Sequence, residues 1–220
     1  MAQAAETSNT KLTHLAILDF EATCELPSGS REEMEIIEFP TILYNLNTKR
    51  VQATFHEYVR PVIYPQLTDF CLDLTGISQE TVDAADRFPA VWTRYLAFLK
   101  AQGVWENSSA LAFVTCGDWD LKTMLPQQLG LSFADDATKK HETEHVLFKR
   151  WINIKRSFHS VYGGKRRPSG LISMLKALAI THQGRHHSGI DDCQNLLSIV
   201  ERMREDGWKA HEDPQLLLQM

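Results

Sequence analysis

The sequence predicts an α/β fold in which helices cover both faces of a mixed, five-stranded sheet. Residues 15–18 form an uninterrupted apolar run, which is typical of a central strand buried on both faces, here expected over residues 13–20. Two more strands, at residues 36–44 and 51–59, follow across short links and predict an antiparallel meander. Helices and short strands then alternate, which predicts that the later strands are parallel.

The remaining elements follow from local signals. Pro40 lies inside the second strand and predicts an edge position or a bulge, because proline has no N–H to donate. Ser78 and Gly207 are expected to cap helices at the start and the end, respectively. The expected helices cover residues 78–84, 88–103, 171–178 and 191–206, one more carries Leu121, Met124 and Leu125, and the expected strands cover residues 111–115 and 151–154.

Length and composition indicate one globular domain. The chain has 220 residues, of which 43% are hydrophobic and 23% charged, and this supplies one substantial core. We expect a disordered tail at residues 1–11, the domain at residues 12–207 and a C-terminal tail at residues 208–220. The net charge of −5 argues against a long, non-specific grip on nucleic acid, although a short basic groove is compatible with it.

Cysteine usage and hydropathy indicate the compartment. The four cysteines form no Cys-x-x-Cys pair, so reduced and mostly buried thiols are expected rather than a zinc site. The polar N-terminus has no signal-peptide core, and no apolar run reaches the length of a membrane span. We therefore expect an intracellular protein without membrane contact, in the cytoplasm, with the nucleus as the alternative.

Two carboxylates follow the central strand. Asp19 and Glu21 are two positions apart, so on a strand both side chains point to the same side. Neighbouring carboxylates at the end of a buried strand repel each other and are costly to desolvate. A hard divalent cation such as Mg²⁺ would relieve both problems. The alternative is a strand that ends in a solvated acidic turn.

Two later acidic pairs stand at predicted helix starts. Asp118 and Asp120 follow the strand at residues 111–115, and Asp191 and Asp192 begin the last long helix. Each of these residues also has a simpler interpretation as a helix cap. The capping role is expected for Asp118, and it leaves Asp120 free to point inward.

Helical phase separates the last two aspartates. Asp192 falls on the apolar face of its helix, which must turn toward the sheet, whereas Asp191 falls on the polar face. The apolar face consists of Leu196, Ile199 and Met203, and the polar face of Asn195, Ser198 and Arg202. A carboxylate on the core-facing side needs a partner, and a cation shared with Asp19 and Glu21 would supply one.

Several motifs occur together in the order and spacing of one nuclease family. They are residues 19–24 (DFEATC), 119–120 (WD) and 187–192 (HSGIDD), with further matches at residues 36–40 (IIEFP), 74–77 (LTGI), 113–122 and 151–153 (WIN). On these motifs the chain resembles the DEDDh 3′→5′ exonucleases, and among them the enhanced-RNA-interference exoribonuclease group. Residues 113–122 are most similar to the third member of that group. The resemblance covers about residues 13–207.

The resemblance implies an RNase H-like fold with a two-metal site. Four acids would hold two Mg²⁺ or Mn²⁺ ions, and a histidine would act as the general base toward the attacking water. The matching residues are Asp19, Glu21, Asp120 and Asp192 as metal ligands and His187 as the base. The implied products are nucleoside 5′-monophosphates. We expect this catalytic domain without the SAP domain that some relatives carry in front of it.

The resemblance also implies a pocket for the 3′-terminal nucleotide. Its expected lining is Phe70, Leu74, Thr75, Gly76, Ile77 and Trp119. Phe70 would stack on the terminal base, and plain core packing is the alternative for this residue. Lys149, Arg150, Lys155, Arg156 and residues 165–167 are candidates for guiding the RNA backbone, although a solvated loop is the alternative for residues 165–167. His182 and His186 are expected to be surface histidines.

The sequence therefore predicts a metal-dependent 3′→5′ exoribonuclease that acts on single-stranded RNA 3′ ends. One alternative is a deoxyribonuclease of the same fold, because no local feature decides the sugar preference. Another is a catalytically weak RNA-binding relative, which the five filled catalytic positions argue against. RNA is the expected partner, and the sequence predicts no particular protein partner.

Overall fold

A computed structural model describes residues 12–25, 33–134, 146–164 and 168–217. The predicted tail at residues 1–11 and the basic residues 165–167 lie outside these ranges. In the described part, the strands of one sheet are β1 (His14–Leu18), β2 (Glu21–Ala22), β3 (Ile36–Asn45), β4 (Arg50–Tyr58), β5 (Leu111–Thr115) and β6 (Trp151–Asn153).

The sheet contains an antiparallel half and a parallel half. Strand β3 pairs antiparallel with β4 on one side and with β1 and β2 on the other, whereas β5 is parallel to β1 and β6 is parallel to β5. Leu18 pairs with Thr41, and Glu21 pairs with Glu38, so β2 continues the register of β1. Strands β1 and β2 thus occupy one strand position, so the six segments fill five positions of the sheet. The predicted five-stranded mixed sheet is confirmed.

Pro40 lies in the interior of the sheet, so the prediction of an edge strand is wrong. The Val59 N–H donates to the Ile37 carbonyl (2.9 Å), so alternate residues of β3 bond to β4 and the Pro40 nitrogen faces the other way. On that side Pro40 lies opposite the short gap between β1 and β2, where Asp19 is found. Because the ladder is already interrupted there, a residue without an N–H is tolerated.

Helices pack on both sides of this sheet. They are α1 (Asp69–Thr75), α2 (Gln79–Ala84), α3 (Phe88–Ala101), α4 (Leu125–Phe133), α5 (Ile154–Tyr162), α6 (Leu171–Ala177), α7 (Gly189–Glu205) and α8 (Pro214–Leu217). A π-helical turn, Asp120–Met124, leads directly into α4, and short 3₁₀ turns cover Ser108–Ala110, Val146–Lys149 and Ala210–Glu212. Among the described residues no helix is both long and apolar enough to span a membrane.

Strand β1 separates two hydrophobic cores. Ala16 and Leu18 pack into the core formed with α3 and α4, whereas Leu15 and Ile17 pack into the core formed with α5, α6 and α7. This alternation follows from the two-residue period of a strand. It confirms that the apolar run is buried on both faces and that helices cover both faces.

Helices α1, α5 and α8 were not predicted, and α8 lies in the segment that was expected to be a C-terminal tail. Helix α1 contains Leu74 and Thr75, which were expected in a loop, and ends at Gly76 with φ +74°. Helix α5 begins at Ile154, where a strand was expected to end, because the Asn153 side chain accepts from the Lys155 N–H (3.2 Å) and caps it. Helix α7 begins at Gly189, two residues earlier than expected.

Residues 208–217, assigned from the sequence to a C-terminal tail, pack against β6 and α5. The buried Asp213 carboxylate accepts hydrogen bonds from Trp208 Nε1 (3.1 Å) and Ser157 Oγ (2.6 Å). The Gln215 side-chain oxygen accepts from the Asn153 N–H (3.1 Å), and its amide donates back to the Asn153 carbonyl (3.2 Å). These bonds hold the segment beside the end of the sheet.

Candidate active site

The four predicted acids come from four separate elements and line one cleft of about 420 Å³. Asp19 follows β1, and Glu21 lies in β2. Asp120 begins the π-helical turn after β5, and Asp192 lies in the first turn of α7. The parallel pairing of β1 with β5 brings the ends of these strands to the same edge, which is why residues 100 positions apart meet.

Asp120 is held inward by the gap between β1 and β2. The Phe20 N–H lies in this gap and donates to Asp120 Oδ1 (2.9 Å), and Asp120 is 5% exposed. The predicted capping role of Asp118 is wrong, because its carboxylate accepts from Trp151 Nε1 (3.2 Å) and from Arg156 (2.5 Å) instead. Both aspartates therefore have fixed partners, and only Asp120 faces the cleft.

The two aspartates of α7 also have different partners. Asp192 is 2% exposed, and its Oδ2 accepts the His187 N–H (3.0 Å). The Asp191 carboxylate turns to the preceding loop and accepts the Arg185 N–H (2.8 Å). The predicted inward direction of Asp192 is confirmed, and Asp191 serves to hold the loop that carries the histidines.

His187 has an unusual backbone. Its φ is +66°, a left-handed conformation that is uncommon outside glycine and is enriched at functional sites. This conformation gives its N–H to Asp192 while the side chain lines the cleft. A ring nitrogen of His187 and carboxylate oxygens of Glu21 and Asp192 lie within 4.8 Å of one another. The His187 ring stacks on the His186 ring, with 3.9 Å between the centroids.

Glu38 is a buried carboxylate that sequence reasoning did not place at the site. It is 1% exposed and accepts hydrogen bonds from the N–H groups of Gly189 (2.9 Å) and Ile190 (3.1 Å), the first two residues of α7. A negative charge at a helix start is favourable, so Glu38 anchors α7 to β3. The signal that could have found it is a single acid inside the apolar run at residues 36–39.

Comparisons with known proteins show the family to which the chain belongs. The family described as Exonuclease (RNase_T) matches residues 16–200. One solved structure is described as the nuclease domain of 3'hExo, a DEDDh family member, bound to rAMP. It is 37% identical with a TM-score of 0.76, and the match covers 92% of this chain and 96% of that chain.

The chain belongs to the DEDDh exonuclease family.

Two further relatives agree with this placement. ERI1 exoribonuclease 3 from Homo sapiens is 42% identical over 198 residues, which are 89% of this chain and 55% of that protein. A structure described as 3'-end specific recognition of histone mRNA stem-loop by 3'-exonuclease is 36% identical, with a TM-score of 0.77 over 90% of this chain and 84% of that chain. The chain thus spans about half the length of the curated relative. The expected RNase H-like fold is confirmed, and the assignment to the third member of the group stays a prediction.

DEDDh nucleases depend on divalent metal ions, and the acids of this chain fit such ions. Burial raises the pKa of Glu21 to about 8, with further contributions from Glu38, Asp192 and Asp120. Burial and the neighbouring acids also raise the pKa of Asp19 well above its usual range. Burial raises the pKa of Asp120 to about 6, against the Phe20 N–H and the charge of Lys155, which lower it. Carboxylates in this environment ionise together at neutral pH only when a cation balances them.

The predicted nucleotide pocket is brought only partly to the cleft. Leu74 and the partly exposed Trp119 line it. Thr75 and Ile77 are buried. Thr75 Oγ1 donates to the Cys71 carbonyl one turn earlier in α1 (2.8 Å), and Ile77 packs in a cluster with α2. Gly76 lies against the Arg185 guanidinium, which would clash with any side chain there. Phe70 is half-buried on α1 and is not among the described residues that line the cleft.

The basic residues divide into one at the cleft and others with structural partners. Lys155, in the first turn of α5, lines the cleft beside the acids. Arg156 pairs with Asp118, and Arg150 donates to the Leu111 carbonyl (3.3 Å). Ser169 and Gly170, at the start of α6, also line the cleft and were not predicted to do so.

Proposed function

We propose that this chain is a metal-dependent 3′→5′ exoribonuclease that releases nucleoside 5′-monophosphates from single-stranded RNA ends. The observation that carries the proposal is the meeting of Asp19, Glu21, Asp120 and Asp192 with His187 in one cleft of a DEDDh fold. The sequence motifs alone gave this set, and the fold assembles it from four elements. The proposal includes an intracellular location.

The four acids are proposed to hold two Mg²⁺ or Mn²⁺ ions. When bound, two such ions supply positive charge next to the attacking and the leaving oxygen of the scissile phosphate. The acids position this charge because they come from rigid elements and are themselves fixed, Asp120 by Phe20 and Asp192 by His187. Lys155 lines the same cleft, where a basic side chain can contact a phosphate group of the substrate.

His187 is proposed to accept a proton from the attacking water. Burial, together with the neighbouring His186, lowers its pKa from the usual histidine value, which favours the neutral ring that can accept a proton at neutral pH. Its φ of +66° is strained for a residue with a side chain, and the bond to Asp192 maintains it. The ring is thus positioned before substrate binds.

The substrate end is proposed to lie between Trp119 and Leu74. Both line the cleft, and an exposed indole offers a stacking surface that accepts any base. RNA is favoured because the curated relative is named an exoribonuclease and a solved relative is described as recognising the 3′ end of an mRNA stem-loop. Phe70 is not among the described residues that line the cleft, and its role stays a prediction.

The test uses 5′-labelled RNA and DNA of the same sequence, each with a free 3′ hydroxyl and with a 3′ phosphate. We expect the RNA with a free 3′ end to shorten one nucleotide at a time, with 5′-monophosphates as products, and the 3′-phosphorylated RNA to resist. Circular RNA of the same sequence should stay intact. Cleavage of the circle would contradict exonuclease action, and faster loss of the DNA would assign the chain to deoxyribonucleases.

A further inference from the structure

A second group of metal-ligand side chains shares Asp192 with the carboxylate site. A ring nitrogen of His182, a ring nitrogen of His186 and a carboxylate oxygen of Asp192 lie within 4.8 Å of one another. His186 Nδ1 is 3.1 Å from Asp192 Oδ2, and His182 Nε2 is 3.8 Å from Asp192 Oδ1. The two histidines were expected at the surface. His186 is exposed and His182 is half-buried, and both lie beside a carboxylate that is 2% exposed.

His182 Nε2 is the atom that most needs an explanation. It is buried and has no hydrogen-bond partner among the described residues. Its distance to Asp192 Oδ1 is too long for a hydrogen bond but short enough for both atoms to contact one ion. A buried ring nitrogen without a partner costs free energy, and a metal bound between the two atoms would remove that cost.

The separations fit a small, nitrogen-binding ion. Zinc bonds to imidazole and carboxylate at about 2.0–2.2 Å in a tetrahedral arrangement, which places neighbouring ligand atoms roughly 3.4 Å apart. His186 Nδ1 and His182 Nε2 lie 3.3 Å and 3.8 Å from the same oxygen, Asp192 Oδ1, on either side of this value. Two imidazoles also select against Mg²⁺, which prefers oxygen ligands.

We propose that His182, His186 and Asp192 form a binding site for a zinc-class ion, which adjoins the carboxylate site through the shared Asp192 and is regulatory rather than catalytic. An ion there uses an oxygen of Asp192 and places two positive charges beside the catalytic acids. Its binding therefore weakens the hold of Asp192 on the catalytic ions and inhibits hydrolysis. The inhibition rests on the proposed function, whereas the binding itself does not.

The competing explanation is that the two histidines only orient Asp192. Partners of metal ligands commonly act in this way, and His186 is close enough to Asp192 for a hydrogen bond. This explanation predicts no zinc affinity that depends on His182, whose Nε2 is beyond hydrogen-bond distance. The two explanations therefore differ in a binding measurement that needs no substrate.

The test measures Zn²⁺ binding to the full chain by calorimetry in excess Mg²⁺, with Co²⁺ as a spectroscopic probe of tetrahedral nitrogen ligation. The variants are His182→Gln, His186→Gln and Glu21→Gln, and the matched control is His211→Gln, which removes an exposed histidine near Glu212 (3.5 Å). We expect one tight Zn²⁺ in the wild type. Both His182→Gln and His186→Gln should weaken it by more than about tenfold, and the other two variants should retain it.

Zn²⁺ binding by His182→Gln as tight as in the wild type would overturn the proposal. Loss of binding in Glu21→Gln alone would also overturn it, because zinc would then occupy the carboxylate site. Thermal unfolding without zinc shows whether each variant is folded. If His182→Gln is unfolded, zinc binding by His186→Gln tests the proposal instead.

The inhibitory role is tested by measuring the rate of RNA cleavage with added Zn²⁺. Each rate is divided by the rate of the same variant in Mg²⁺ alone. We expect inhibition of the wild type at a Zn²⁺ concentration that leaves His182→Gln unaffected. If the wild type binds zinc through His182 but degrades no RNA, the proposed function fails and the zinc site stands.

Discussion

Asp191 and Asp192 are adjacent in sequence but have different roles. The Asp192 carboxylate is buried and accepts the His187 N–H, so its position and that of the proposed base depend on each other. Asp191 accepts the Arg185 N–H, and Asn195 bonds to the backbone of Gln183 in both directions. These two residues hold the loop before α7, which sets the left-handed φ of His187. Hydrogen bonds from these side chains to the loop backbone therefore determine that His187 and Asp192 are the residues that face the cleft.

His187→Ala should slow RNA cleavage by about 10²–10⁴-fold, the usual contribution of a general base, while the protein stays folded. Because the pKa of His187 is lowered, the acidic limb of the wild-type rate profile should lie at a lower pH than an ordinary histidine would give. The mutant should lose this acidic limb, since it has no imidazole at position 187 to be protonated. Single-turnover rates across pH check the prediction, with His211→Ala as the control. A mutant that keeps both the rate and the limb would place the base elsewhere.

At the scale of elements, the start of α7 is fixed against the sheet. Glu38 of β3 accepts the first two N–H groups of the helix, and Gly189 packs against the backbone of the gap between β1 and β2. A Cβ at Gly189 would lie 2.6 Å from the Asp19 carbonyl oxygen and 2.9 Å from Pro40 Cγ. This close approach sets the distance between Asp19 and Asp192, which come from different elements of the site.

Gly189→Ala should therefore separate α7 from Asp19. We expect it to cost about 1–3 kcal/mol of unfolding free energy, the usual cost of forcing an extra methyl group into a packed core. The rate should fall by on the order of 10²-fold, because small displacements of catalytic groups are costly. Urea unfolding and cleavage rates measure the two effects.

Gly130→Ala is the matched control for this substitution. Gly130 is exposed in α4, and a Cβ there meets nothing within 4 Å. It should stabilise the protein by about 0.5–1 kcal/mol, because glycine is unfavourable inside a helix, and leave the rate unchanged. If Gly189→Ala behaves like Gly130→Ala, the close packing of α7 is not what fixes Asp192.

The sequence predicted β1 and α7 from their apolar patterns and missed α1 and α5. The helical phase of α7 predicted that Asp192 points inward, and the apolar run predicted that β1 is a central strand. Helix α1 buries only Cys71 and Thr75, so it shows no apolar face at helical spacing. The role of Asp118 and the gap opposite Pro40 depend on partners distant in sequence, Trp151 and Asp19, which local patterns do not reveal.

At the scale of the molecule, the acids lie at one edge of a sheet that is covered on both faces. Two hydrophobic cores surround β1, so Asp19 and Glu21, which follow this strand, lie in surroundings with little water. Burial is the largest cause of the raised pKa of Asp19, Glu21 and Asp120. The metal-free protein therefore carries an electrostatic cost that bound cations offset.

Without metal, stability should fall as the pH rises. An acid whose pKa is higher in the folded state binds more protons there than in the unfolded chain, so its stabilising contribution is present below the unfolded pKa and is lost above the folded one. For Asp120 and Glu21 that loss extends through pH values of about 6 and about 8. Melting temperatures in EDTA and in Mg²⁺ should diverge across this range. Parallel curves would mean that the acids do not hold the ions.

We place Asp192, rather than Asp191, in the proposed metal-dependent site that removes nucleotides from an RNA 3′ end. The most direct measurement follows 5′-labelled RNA with wild type, Asp192→Asn and Asp191→Asn, each in Mg²⁺ and in EDTA. We predict stepwise shortening by the wild type in Mg²⁺ only, and none by Asp192→Asn. Asp191→Asn should stay within about fivefold of the wild type, since its amide oxygen can accept the same N–H and such a bond is worth roughly 1 kcal/mol. Cleavage in EDTA, or an active Asp192→Asn beside an inactive Asp191→Asn, would contradict the account.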